Sequence, residues 1–396
     1  MNQQAVYHFS PNKYVFGAGS LNALTEEVRS AKARSVLIIT DGFLAKTDLA
    51  KKVQSLIEQA GASSTLWGGV HPNPTDTNVE EALQVYKDNK CDLIISLGGG
   101  SSHDCAKAVA VTATNKGRIH DYEGVNKVVN RPAPLFSINT TAGTAAEMTR
   151  FSIITDTSRK VKMAIIDWQV TPLLAIDDPE TMVGMPKSLT AATGLDALTH
   201  AVEAYVSTGA TQLTDANALA AIKLIFKYLP QAYDDGKNIE ARTKMAYAQY
   251  MAGVAFNNAG LGYVHAMAHQ LGGFYDYPHG VCNAILLPVV ETFNVRGAAV
   301  RMAEIYNELH HLNGNSSLSP LERAMRLIYE ISELKQRVEI PLNLKVLGAE
   351  PKDFEIMAKN AMKDACGFTN PVQPTLHEVV EIFEQAYAQQ PVVATA

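Results

Sequence analysis

The sequence predicts an α/β N-terminal domain built on a parallel sheet, followed by an all-α C-terminal domain. Three observations carry that expectation. The first half repeats a short apolar run, a turn rich in Gly, Thr or Asp, and a helical stretch. From about Pro186, strand-like β-branched runs become rare, and Ala, Leu, Met, Glu and Lys recur at helical spacing. The 396 residues, 47% hydrophobic and 19% charged, suffice for two packed domains and are too apolar for a disordered chain.

The elements follow in chain order. Ser35–Asp41 (SVLIITD) reads as a strand, with a helical stretch after it reaching about Ala60. Asp92–Leu97 (DLIISL) is a second strand that runs into Gly98-Gly99-Gly100-Ser101, then a helix from about His103 to Thr114. Pro134–Asn139 (PLFSIN) leads into Thr140-Thr141-Ala142-Gly143-Thr144. Apolar runs of this length alternating with helices mark βα units, whose parallel sheet is covered on both faces. Ligands of such sheets sit beyond the carboxyl ends of the strands, where both turns lie. The run LTDANALAAIKLIFKYL and the run LERAMRLIYEISELK are helical. The boundary is expected within Asp178–Lys187 (DDPETMVGMPK), dividing the chain into residues 1–184 and 185–396. The final PVVATA reads as a frayed tail.

Charge and composition exclude several classes. Thirty-four basic against forty acidic residues leave a net charge of −6, without the basic excess of a nucleic-acid binder. Cys91, Cys105, Cys282 and Cys366 form no CxxC pair and read as small buried residues. The N-terminus lacks the basic cluster and apolar run of a secretory signal, so a cytoplasmic location is expected. Met245–Tyr275 carries no Asp, Glu, Lys or Arg, but its Asn, His, Gln and Gly residues argue for protein interior beside a site, not a membrane span.

The glycine turn offers backbone that can approach a pyrophosphate closely, with the free N–H groups of a helix start behind it. It is neither GxGxxG nor a Walker loop, and a tight strand–helix turn is the plainer reading. Asp41, at a strand's carboxyl end, can accept both hydroxyls of an adenosine ribose or simply cap the following turn. Thr140, Thr141, Thr144 and Thr149 add hydroxyls suited to ribose and phosphate, and Asp104 belongs to the helix after the glycine turn. Lys162 supplies a positive charge or is a solvated lysine. Together these favour a Rossmann-like, dinucleotide-binding first domain.

A second constellation points to a metal. Asp196 and His200 stand one helical turn apart, as do His265 and His269, and His279 follows in YDYPHG. Three His and one carboxylate suit Fe²⁺, Zn²⁺ or another first-row ion. Each His alone reads as a hydrogen-bonded core residue. Helical spacing by itself favours His265 and His269 as the pair, and does not say which His is left over.

Four motifs in order, GGGSSHDCAK, NTTAGTAAEMT, ATGLDALTHAVEAY and GLGYVHAMAHQLGGFYDYPHG, resemble the iron-containing, or group III, alcohol dehydrogenases over nearly the whole chain. The likeness is to the branch of bacterial short-chain alcohol dehydrogenases and lactaldehyde reductase. It implies an NAD-binding α/β domain and a helical domain holding iron or another divalent metal through Asp196, His200, His265 and His279. His269 is then left near nicotinamide and substrate as a proton relay. Asp41, Asn73 (in HPNPT) and Gly98–Ser101 fall on the adenosine–pyrophosphate portion of NAD, and Thr140, Thr141, Thr144 and Lys162 along the rest. Two departures stand out: Ala145-Ala146 in the cofactor loop where many members have Gly-Ser, and Val289 where many have His, which bears on the substrate pocket or its proton path. The implied reaction is reversible hydride transfer between a short primary alcohol such as ethanol and NAD. Lactaldehyde or diol chemistry is the alternative, and a homodimer or larger assembly is expected. A 3-dehydroquinate synthase would need basic residues around an acidic substrate, and Met245–Tyr275 has none.

Overall fold

Short apolar runs flanked by turns become strands here, as a computed structural model describing residues 8–159, 161–312 and 317–390 shows. The PVVATA tail and the first seven residues lie outside the described residues. The chain divides into two compact units, Met1–Gly184 and Met185–Ala396.

The first unit runs β1 (Lys13–Phe16), α1 (Leu24–Ser30), β2 (Ser35–Asp41), α2 (Asp48–Gln59), β3 (Ser63–Val70), α3 (Asp76–Asp88), β4 (Leu93–Gly98), α4 (Gly100–Thr114), β5 (Gly124–Val125), β6 (Leu135–Asn139), β7 (Phe151–Asp156), β8 (Val161–Ile166) and β9 (Leu174–Asp177). Six strands form one sheet in the order β1-β9-β6-β4-β2-β3, with every pairing parallel. The central strands β4 and β6 are buried at every residue, so their sequences (LIISLG and LFSIN) are mostly apolar with little alternation. Successive residues of β2 serve opposite faces. Leu37 and Ile39 pack with Ile94, Cys105 and Val109; Val36 and Ile38 pack with Val53, Ile57 and Ile95 on the other side.

At the carboxyl edge of this sheet the glycine and threonine turns meet. Gly98 has φ +147°, a conformation that a side chain would strain. A Cβ on Gly99 would stand 2.9 Å from Thr141 Oγ1, and one on Gly100 2.9 Å from Thr144 Oγ1. The Thr140 N–H donates to the Gly98 carbonyl at 2.9 Å.

The sequence patterns did not single out a second, three-stranded sheet, β5-β8-β7. There β7 and β8 form an antiparallel hairpin. His120 ties the hairpin to α3, lying 3.0 Å from Asp76 and 3.5 Å from Asp156, whose charge Arg159 also meets.

The second unit is helical: α5 (Lys187–Val206), α6 (Gln212–Asp234), α7 (Ile239–Ala259), α8 (Tyr263–Tyr275), α9 (His279–Leu309), α10 (Pro320–Arg337), α11 (Leu344–Leu347), α12 (Phe354–Ala361) and α13 (Leu376–Ala388). Capping boxes start α6, α10 and α13. Among the described residues, no helix is long and apolar enough to cross a membrane.

Candidate metal centre

Helix α5 is buried on all sides from Leu195 to Val206, so its polar residues must find partners in the interior. Asp196, His200 and Glu203, at i, i+4 and i+7, share one face of it. His265 and His269 project from α8, and Pro278 precedes His279 at the start of α9.

Asp196 Oδ1 lies 3.8 Å from His265 Nε2 and 3.6 Å from His279 Nε2. One donor, the Asn283 amide nitrogen, faces all three acceptors: it bonds Asp196 Oδ1 at 2.7 Å and stands 3.1 Å from His265 Nε2 and 3.0 Å from His279 Nε2. Two imidazole lone pairs and a carboxylate oxygen thus converge on a point, with ligand atoms within 4.8 Å of one another. That donor set fits a first-row divalent metal. His200 is beside it, its ring 4.4 Å from that of His265 and its Nδ1 3.9 Å from Asp196 Oδ2, though outside the three-residue group.

Two acids hold the two histidines of α8. Glu203 Oε2 meets His265 Nδ1 at 2.5 Å, and Asp364 Oδ2 meets His269 Nδ1 at 2.8 Å. Burial pushes His265 well below its ordinary value, with the neighbouring His269 adding to the effect, so the ring is neutral and has a lone pair to give. Burial pushes Glu203 up to about 8, against backbone N–H donors of Val264, His265 and Gly262. The neighbouring His269 works with those donors to favour the carboxylate. Burial works to raise Asp364, yet His269 and Cys366 hold it below the ordinary carboxylate value. His269 therefore groups with Asp364 and Cys366, apart from Asp196, His265 and His279.

The expected cofactor residues all lie in the first unit. Asp41 Oδ1 accepts the N–H groups of Phe43 and Leu44 at 2.8 and 2.9 Å, so this oxygen caps the turn. Lys162 is half-buried, its ammonium on Asn73 Oδ1 at 2.9 Å. Ser101 Oγ donates to the Pro72 carbonyl, joining the glycine turn to the HPNPT loop. Thr141 and Thr144 line the glycine turn, with Thr140 buried beneath it. Thr149 is buried and gives its carbonyl to the Lys107 ammonium at 2.8 Å, while the Asp104 carbonyl accepts from Ser152 Oγ at 2.8 Å.

Sequence reasoning missed Glu203, Asn283 and Asp364. A signal existed for two: Glu203 falls seven residues after Asp196, and Asn283 four after His279, each on the ligand face of its helix. Asp364 stands 95 residues from His269, and no local pattern links them.

Comparison with known proteins places this arrangement. The model of iron-containing alcohol dehydrogenase matches residues 11–179, and that of the C-terminal part of the Fe-containing alcohol dehydrogenase family matches residues 190–387. The chain is 51% identical to Alcohol dehydrogenase 4 of Schizosaccharomyces pombe over 380 residues, 96% of this chain and 88% of the relative. It is 38% identical to lactaldehyde reductase of Escherichia coli over 376 residues, 94% of this chain and 97% of the relative. A solved structure of a 1,3-propanediol oxidoreductase matches with a TM-score of 0.94 at 43% identity, covering 97% of this chain and all of the other. Both halves match the family, and the likeness runs nearly end to end, so this chain belongs to the iron-containing alcohol dehydrogenase family and is an oxidoreductase of alcohols.

Proposed function

We propose that this chain carries out metal-dependent, reversible hydride transfer between a short-chain primary alcohol and NAD, with Asp196, His200, His265 and His279 as metal ligands. The observation that carries the reading is the convergence of Asp196 Oδ1, His265 Nε2 and His279 Nε2 on one point. A divalent ion held there would act as a Lewis acid, favouring loss of the alcohol's proton and polarising an aldehyde carbonyl. His269, fixed by Asp364 through Nδ1, has its other ring nitrogen turned away from that carboxylate and is the proton-handling group. The glycine turn and α4 N-terminus suit the cofactor's pyrophosphate, and Asp41, Asn73, Thr140, Thr141, Thr144 and Lys162 suit its ribose and phosphate groups. Residues 1–184 are the NAD-binding domain and residues 185–396 the metal domain. The second reading, a diol or lactaldehyde enzyme, is favoured by the names of two similar proteins.

The test uses protein stripped of metal and reloaded with Fe²⁺, Zn²⁺ or Co²⁺, assayed for NADH formation over ethanol, longer primary alcohols and diols. Turnover should return only with metal and be highest on a short primary alcohol; a preference for diols selects the second reading. His200→Ala, His265→Ala and His279→Ala should lose most bound metal and nearly all turnover. His269→Ala should keep its metal while turnover falls and its pH dependence changes. A His269→Ala protein that emptied the site, beside a fully loaded His279→Ala protein, would overturn the ligand assignment.

A further inference from the structure

Glu203 is almost wholly buried, and nothing in the reaction touches it. It would be costly there without a purpose-built seat, because a carboxylate taken from water needs donors on every side. The seat is the first turn of α8. The Val264 N–H donates to Oε1 at 2.7 Å, and the backbone of Gly262 and His265 contributes as well. Gly262 makes the approach feasible: a Cβ there would stand 2.7 Å from Glu203 Oε1 and 2.6 Å from Asn370 Oδ1. The other oxygen, Oε2, is thereby aimed at His265 Nδ1 at 2.5 Å. A histidine that donates through Nδ1 keeps its lone pair on Nε2, the atom that faces Asp196.

We propose that Glu203 is a positioning residue for the metal centre: seated on the α8 N-terminus, it holds His265 by Nδ1 so that Nε2 meets the ion, and thereby sets metal affinity. This rests on His265 being a ligand, as proposed above. The linkage crosses 62 residues, from α5 to α8, and puts on one face of α5 the proposed ligands Asp196 and His200 together with Glu203, which stands behind His265. Glu203→Gln keeps the shape but turns an N–H₂ group toward either the Val264 N–H or the His265 Nδ1–H. It therefore cannot satisfy both donors at once.

Competition of the full chain against a chromogenic chelator for Zn²⁺ tests the idea. Glu203→Gln should weaken Zn²⁺ binding by about 10–100-fold, and Glu203→Ala by at least as much. The Co²⁺-loaded variants should also show an altered d–d absorption band, which a purely structural role would leave alone. Wild-type Zn²⁺ affinity and an unchanged Co²⁺ band would overturn the proposal, even if melting temperature fell. Should both variants fail to fold, the Zn²⁺-loaded wild type carries the test by long-range ¹H–¹⁵N spectra of ¹⁵N-histidine-labelled protein. They should show His265 protonated at Nδ1, and an Nε2-protonated ring sinks the idea. His265→Ala separates the two readings. If it loses Zn²⁺ while Glu203→Gln binds normally, only Glu203's role fails; if it keeps Zn²⁺, the ligand assignment fails.

Discussion

Asp41 shows what a single residue's surroundings settle. From sequence it was either a ribose acceptor or a turn cap, and Oδ1 performs the second role on the Phe43 and Leu44 N–H groups. One oxygen in a cap does not bar the carboxylate from cofactor choice: in the proposed reading its charge would still repel a 2′-phosphate. Asp41→Gly should raise the preference for NADP⁺ relative to NAD⁺ at least about tenfold, or about 1.4 kcal/mol. Steady-state kinetics with both cofactors check this. An unchanged ratio with lowered stability would leave Asp41 only its cap.

At the scale of elements, helices α5, α8 and α9 place the polar groups, and burial is the largest influence on Glu203, His265 and Glu291. Glu291 on α9 is pushed up to about 8, first by burial and then by the charge of Glu203, against its bond from Asn294. The ordinary value is 4.5, so between 4.5 and about 8 the folded chain holds a proton that the unfolded chain has released. Stability must then fall as pH rises through that window. Glu291→Gln removes this dependence. Its stability relative to wild type should climb from about pH 5 to about pH 8 and level off above, by up to roughly 1.4 kcal/mol per pH unit. Urea unfolding across that range measures it, and a difference that stays flat with pH means the carboxyl is not protonated in the fold.

At the scale of the whole molecule, the two units carry separate chemistry in the proposed reading. Limited proteolysis should cut within residues 178–187 and release an N-terminal fragment that binds NAD and holds no metal. Calorimetry with NAD and metal analysis of the fragment decide it. Metal retained on that fragment would place the ligands elsewhere, and a fragment that failed to bind NAD would remove the cofactor assignment from the first unit. Each unit has its own internal packing, the first on two faces of a parallel sheet and the second among helices, which is why a single cut is expected to leave the sheet intact.

The sequence by itself determined the two-part architecture, the presence of a parallel sheet in the first half and the family, because periodicity and contiguous motifs are local properties. Asp196 and His200 were legible for the same reason: one helical turn joins them. Other features waited for the tertiary structure. The β7–β8 hairpin was missed because β7 presents only alternate residues to the interior, a weaker signal than the mostly apolar, wholly buried runs of β4 and β6. Helical spacing favoured His269 as the partner of His265; the fold instead sets His279 beside Asp196 and gives His269 to Asp364. Glu203 and Asp364 find their histidines across 62 and 95 residues. Such pairs exist only once helices pack, since the force that brings them together is the burial of the apolar faces around them and not any attraction encoded along the chain.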